Sequence, residues 1–397
     1  METPDAKNFY IDDLLIGHSS ANPCLPSERG LYLHIPFCVS KCKYCDFYSL
    51  PQSSPGHSLD SYIEAVFSEA EKYRGLSFST VYLGGGTPSL LKAGGLRKLM
   101  EGLRRIFDLT GVLEATIEAN PESVTLELLE SALTCGINRL SLGVQSLCDV
   151  ELTSVGRIHS ASQAVQVIDL ARESGFENIS ADIILGLPGQ DWQSLMISLE
   201  TLIGLDIRHI SAYCLSIEPH TPLALNPPPD LPSDDEQAEF YNSASALLVK
   251  RGFIHYEISN FAVPGYECRH NLNYWHSGEY LGLGPAAASH LDSKRFKNKA
   301  NLDSYLLDPI GQVDEIEELS EHEKAAEEAI LRLRLLQEGL DVDHLARKYG
   351  DENIIGLVSR LNQLVKERLL NRNGANYRMP PACALVSNSI LSRVLGD

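Results

Sequence analysis

Six short aliphatic or β-branched runs, each separated from the next by a helical segment, constrain this chain most. They are Leu31–Ile35, Thr80–Leu83, Leu113–Glu118, Asn138–Gly143, Ile179–Leu185 and His209–Ser216. Strands separated by helices pair in parallel, because parallel neighbours need a crossover connection, and successive right-handed units curl into a full or partial barrel. Barrels of this kind do their chemistry at the C-terminal ends of the strands. Polar and glycine-rich residues follow the strand ends here: cysteines after Ile35, Gly84–Gly86 after Leu83, Asn120 after Glu118, Gln145 after Gly143, and Pro188–Gly189 after Leu185.

Beyond the sixth run the pattern changes. Six prolines between Pro219 and Pro232 exclude a helix interior or central strand and predict an exposed connection. Ser233 with Glu236, and Ser320 with Glu323, have capping-box spacing and predict helix starts. A strand is expected around Phe253–Ile258, and further helices over Val342–Lys348 and Asn353–Lys366. Asn373–Gly374 predicts a hairpin between Arg368–Asn371 and Tyr377–Met379, which with the helices reads as a small winged-helix-like C-terminal domain.

Such domains usually bind DNA, but the formal net charge is −20, which repels phosphate backbones and anionic membranes. No nucleic-acid partner is expected, and the C-terminal domain reads as a packing or docking module. No apolar run approaches the length of a transmembrane helix, and the acid-rich first thirty residues resemble neither a signal nor a transit peptide, so a cytoplasmic protein is expected. Nine cysteines, an odd number, argue against a disulfide framework.

Three of the nine, Cys38, Cys42 and Cys45, crowd into eight residues directly after the first strand. Three thiolates on a short loop can hold three irons of a cubane cluster and leave the fourth iron open to a substrate or cofactor. A zinc site completed by His34, or unligated loop cysteines, are the alternatives from spacing alone.

The cysteine spacing after a first barrel strand resembles the radical S-adenosylmethionine superfamily. The segments LYLHIPFC, CDFYS, LGGGTPS, IEANPES, NRLSLGVQS, VGRIHS, DIILGLPGQ, YEISNFA and CRHNLNYW, in order from about Leu31 to Asn301, resemble its coproporphyrinogen dehydrogenase group, and most of all the haem-chaperone branch of that group. The resemblance implies a partial (β/α)6 TIM-like barrel. It implies a 4Fe-4S cluster on Cys38, Cys42 and Cys45, with S-adenosylmethionine at the open iron. Tyr32, Tyr44, Gly85, Gly86, Thr87, Glu118, Gln145, Arg157 and Asp182 match positions that contact S-adenosylmethionine. Glu118 and Asp182 suit its amino group or ribose, Arg157 its carboxylate, and Tyr44 its adenine. On this reading residues 1–30 are a polar leader, 31–252 the barrel, 253–310 a barrel extension and 311–397 the C-terminal domain.

Two features separate members of the group. Coproporphyrinogen dehydrogenases carry a further cysteine two residues after the third, and here that position is Phe47. His270-Asn271-Leu272-Asn273-Tyr274-Trp275 matches the HNxxYW motif associated with haem in the chaperone branch, so His270 is the expected haem ligand, with Cys268 and then His276 as competitors. The implied function is binding haem and delivering it to acceptor haemoproteins, and a second copy of the chain stays among the candidate partners. The alternative is oxidative decarboxylation of coproporphyrinogen III to protoporphyrinogen IX, and no residue is assigned a catalytic role. The sequence departs from the group at Gly282–Ser289, where alanines replace the usual Gly and His and His290 stands two residues beyond the expected histidine, and at His220, where glycine is usual.

Overall fold

In a computed structural model that describes residues 29–52 and 57–396, the six expected strands form in chain order: β1 (Gly30–Ile35), β2 (Thr80–Gly85), β3 (Glu114–Ala119), β4 (Arg139–Gln145), β5 (Asn178–Leu185) and β6 (His209–Cys214). Each pairs in parallel with its predecessor. All but the last two residues of the expected leader lie outside the described residues. β4 is buried along its whole length, as a strand packed on both faces must be. The crossover helices α1 (Leu59–Glu71), α2 (Lys92–Ile106), α3 (Leu126–Thr134), α4 (Ala161–Glu173) and α5 (Trp192–Gly204) cover the convex side. Leu96, Leu99 and Leu103 of α2 recur at helical spacing and are fully buried, while Lys98, Glu101 and Arg105 face outward.

The sheet is larger than the six runs suggest. β7 (Ile254–Glu257) and β8 (Asn260–Ala262) form a hairpin on β6, while β9 (Tyr280–Leu283) pairs in parallel with β1 from the other side. β10 (Ala288–Leu291), β11 (Lys294–Asn298) and β12 (Val313–Glu318) continue antiparallel from β9 and complete a 12-stranded sheet. β9 is a seventh parallel strand. It escaped the sequence reading because Tyr280–Leu283 is only four residues long and holds a glycine, too short for its periodicity to show. β12 belongs to the same sheet as the barrel, although it falls after residue 310, because each of its residues from Ile316 to Glu318 stands opposite one of β11.

Both predicted capping boxes close. Ser233 opens α6 (Asp234–Lys250) and Ser320 opens α8 (Glu321–Arg332), each accepting from the third-residue backbone N–H while Glu236 or Glu323 bonds back to the cap. The helix α7 (Arg269–Trp275) lies between these two in sequence and carries the HNxxYW residues. The proline-rich connection contains one helical turn, Pro222–Leu225. Pro222 is tolerated there because it sits at the first helical position, where no N–H is needed.

The C-terminal part consists of α8, α9 (Val342–Tyr349), α10 (Asp351–Lys366), a small sheet of β13 (Leu340–Asp341), β14 (Asn371–Asn373) and β15 (Asn376–Arg378), and a last helix α11 (Ser387–Leu395). The hairpin turns at Gly374, whose φ of +60° suits glycine. Buried Glu328 on α8 ties the helices together by accepting from Arg332, Lys348 and Tyr349.

Candidate functional site

The cysteine loop is clamped at its base. Phe37–Cys38 pairs in parallel with Leu50–Pro51, so the residues between them form an arch over the C-terminal end of β1. Lys43 N–H donates to the Val155 carbonyl at 3.0 Å, and Leu223 N–H donates to the Lys43 carbonyl at 2.9 Å, fixing the arch to two later loops. Cys38, Cys42 and Cys45 are half-buried and line one cavity of about 420 Å³ at the C-terminal ends of the strands. Thr87 Oγ1 lies 3.5 Å from Cys38 Sγ, and Arg157 Nη1 lies 3.5 Å from Cys42 Sγ. A hydroxyl and a guanidinium so placed stabilise thiolates.

No three His, Cys, Asp or Glu side chains among the described residues converge on a point where one ion could be held. A cubane asks for no such convergence, because each thiolate binds a different iron. His34, needed to complete a zinc site, has both ring nitrogens engaged: Nδ1 with Tyr32 OH at 3.1 Å and Nε2 with the Tyr48 carbonyl at 2.8 Å. The donor set therefore fits a three-thiolate cluster better than zinc.

The same cavity is lined by Tyr44, Gly85, Gly86, Thr87, Glu118, Gln145, Arg157 and Asp182. Tyr32 is the one residue of the expected cofactor set outside it, lining instead a neighbouring cavity with His34. The glycine run is demanded by the arch: Gly85 has φ +108°, and a Cβ on Gly86 would stand 2.5 Å from the Phe37 carbonyl oxygen. Asn120, which the sequence reading left as a strand-end residue without a role, joins the set. Arg157 Nη2 donates to its Oδ1 at 2.7 Å, and its Nδ2 lies 3.1 Å from Thr87 Oγ1. A chain of polar contacts thus runs from Cys42 through Arg157, Asn120 and Thr87 to Cys38. Tyr213–Ser216 and Glu218, after the last strand, also line the cavity and follow the same strand-end rule.

Two carboxyls lie inside the barrel mouth. Burial pushes Glu118 up to about 7, with the Tyr82 hydroxyl, 2.7 Å from Oε1, and the Gly85 N–H pulling the other way and Asp182 adding to the rise. Burial also raises Asp182, against hydrogen bonds from Ser211 and Ser141. Such a pair, poorly solvated and facing a cavity, is suited to a cationic ligand that supplies the missing positive charge.

Residues 32–202 match the radical SAM superfamily. A haem chaperone HemW of Lactococcus lactis is 33% identical over 379 residues, covering 94% of this chain and 99% of the relative, and HemW of Bacillus subtilis is 34% identical over 383 residues, covering 93% and 100%. The chain belongs to the HemW family. Its fold is also that of the solved coproporphyrinogen III oxidase HemN of Escherichia coli, a radical SAM enzyme, with a TM-score of 0.82 at 24% identity over 93% of this chain and 91% of the other. The seven parallel strands and the helical C-terminal part thus lie within a known radical SAM architecture.

The second cavity of this HemW-family chain is larger, about 1060 Å³, and adjoins the first through Lys41, Asp46, Phe47, Gly85 and Glu118, which line both. Phe47 is 66% exposed, so an apolar ring stands at the junction where the dehydrogenases carry a thiol. His270 lines neither cavity. It is buried at the N-terminal end of the barrel, with Nδ1 2.8 Å from Thr80 Oγ1 and Nε2 2.8 Å from Tyr274 OH, and burial pushes its pKa down to about 3. This does not match its expected place as a haem ligand: both nitrogens are already used, and Gly30 packs against the ring. Tyr274 and Trp275 of the motif do reach the second cavity. Cys268 is fully buried against Glu114 and His276 pairs with Glu338, so neither competitor reaches it.

Proposed function

We propose that this chain is a haem chaperone. It holds a 4Fe-4S cluster on Cys38, Cys42 and Cys45, takes S-adenosylmethionine in the adjoining strand-end cavity, and carries haem to acceptor haemoproteins. The observation that carries the reading is the pairing of two contiguous cavities, a thiol-lined one and a larger aromatic one, with Phe47 rather than cysteine between them. The names of the HemW relatives support haem as the cargo. Bound together, the cluster supplies single electrons and S-adenosylmethionine a sulfonium that one electron can cleave.

The chain's own residues orient that cofactor: Arg157 faces its carboxylate, Glu118 and Asp182 its amino group or ribose, and Tyr44 its adenine. Tyr32 lies in the neighbouring cavity, where its OH is 3.1 Å from His34 Nδ1. Among the described residues no helix is long and apolar enough to cross a membrane, in keeping with a cytoplasmic site of action.

The test is anaerobic turnover of coproporphyrinogen III by reconstituted protein with S-adenosylmethionine and reductant, beside an active dehydrogenase, followed by incubation of haem-loaded protein with an apo-haemoprotein. No protoporphyrinogen and transfer of haem are expected. Robust product would instead make the chain a coproporphyrinogen oxidase.

The Glu118 carboxyl gives a pH dependence with a definite sign. The cofactor's sulfonium charge and amino N–H donors favour the ionised carboxylate, so binding lowers the pKa of Glu118 from about 7 and expels a proton. S-adenosylmethionine affinity is expected to rise with pH, by up to about tenfold per unit below the free-state pKa, and to level off above it. In Glu118→Gln this limb should disappear. An affinity that falls as pH rises through neutrality would show that Glu118 does not face the cofactor's amino group or sulfonium.

A further inference from the structure

β4 slips out of step with β5 near its C-terminal end. Leu142 stands opposite Ala181 and Gln145 opposite Ile183, so three steps along β4 match two along β5. The extra residue makes a β-bulge, a device that re-aims a side chain at a strand end and is rare in parallel pairs. Gln145 completes the bulge at φ +66°, in the left-handed region that few side chains adopt. The Ser146 N–H reaches back to the Val144 carbonyl at 2.9 Å and closes a three-residue turn around Gln145. Backbone of this kind persists only where its surroundings over-determine it.

Two side chains from one later segment supply that constraint. Arg157 Nη2 donates to the Gly143 carbonyl, and His159 Nε2 lies 3.1 Å from the Val144 carbonyl. A carbonyl can only accept, so Nε2 carries the proton. The His159 side chain is fully buried, and its Nδ1 faces Glu122 Oε2 at 3.5 Å. Glu122 sits in the turn Pro121–Ser123 that follows β3. Burial pushes the Glu122 carboxyl up, but the His159 ring and the Arg157 guanidinium outweigh it and hold it below the usual range. The imidazole is thus wedged between the ends of β3 and β4.

The turn lays Gln145 among residues of the cavity. A Cβ on Gly143 would stand 2.8 Å from Asn120 Oδ1, 3.0 Å from Gln145 Nε2 and 3.1 Å from Arg157 Nη2, so three side chains meet over that glycine. All three line the thiol-lined cavity, whereas His159 stands behind its wall. Resting on the reading that this cavity takes S-adenosylmethionine, we propose that His159 is a positioning residue for that cofactor. Its imidazole holds the Val144 carbonyl and thereby keeps Gln145 in the turn that aims its amide into the cavity, while Glu122 fixes the ring.

The test is equilibrium dialysis of S-adenosylmethionine against full-length, cluster-reconstituted protein of matched cluster content. Wild type is compared with His159→Leu, His159→Gln, Gln145→Ala and the double variant His159→Leu/Gln145→Ala. His159→Leu should weaken binding by about tenfold, the scale of one buried hydrogen-bond donor lost. His159→Gln, whose amide N–H reaches the same carbonyl, should stay within about threefold of wild type. With Gln145→Ala already present, His159→Leu should cost less than about twofold more, because groups that act through one another are not additive. Amide hydrogen exchange at Ser146 should rise in His159→Leu even without cofactor. Should His159→Leu fail to fold, His159→Asn, whose amide is too short to reach Val144, takes its place. Wild type that binds while His159→Leu binds equally well, keeps Ser146 protected, or loses as much in the Gln145→Ala background as alone would overturn the assignment and leave the cofactor reading standing. Wild type that shows no S-adenosylmethionine binding would overturn both.

Discussion

Anaerobically reconstituted Cys42→Ser protein is expected to be colourless, without the broad visible absorption of an iron–sulfur cluster, while Cys135→Ser should keep all of it. Removing one of three thiolates leaves two ligands for a cluster that is normally held by four, one of which is already supplied from outside the chain. Cys42 lies on the arch with Arg157 at its sulfur. Cys135, only 3% exposed at the end of α3, packs in the core and lines neither of the two cavities described above. Measured iron and sulfide per chain should follow the colour. Equal loss from both substitutions would mean that the arch does not hold the cluster.

Arg157→Met is expected to weaken S-adenosylmethionine binding by about 100-fold, close to 3 kcal/mol, the scale for removing one partner of a buried, hydrogen-bonded charge pair. Two losses combine. The cofactor carboxylate loses its cation, and Asn120, which Arg157 holds towards Thr87, is released. Equilibrium dialysis against the reconstituted protein measures the change directly. Because Arg157 also touches Cys42, cluster content must be matched between the samples. A loss below about threefold would place the carboxylate elsewhere, since even a neutral hydrogen bond contributes about 1 kcal/mol.

The sequence reveals the barrel because its parallel strands are short hydrophobic runs with helices between them, and the site because polar residues sit at the ends of those runs. Asn120 and Glu118 follow this logic although only one was assigned a role. Long-range pairing does not leave such a trace. Tyr280–Leu283 becomes a seventh parallel strand only because β1 offers it a free edge, and Val313–Glu318 joins the same sheet through β11. Nor does a motif disclose which way its side chains point. His270 belongs to a recognisable motif, but its helix turns the ring towards Thr80 and Tyr274, whereas His290, part of a departure from the family pattern, faces open space. Tyr32 shows the same limit: it matches a cofactor position, yet β1 points it along the concave face into the larger cavity.

The most direct measurement is a titration of the cluster-reconstituted chain with haem, followed at the Soret band. The account predicts a shifted band that saturates at one haem per chain. A difference spectrum that shows only free haem at every ratio would contradict it.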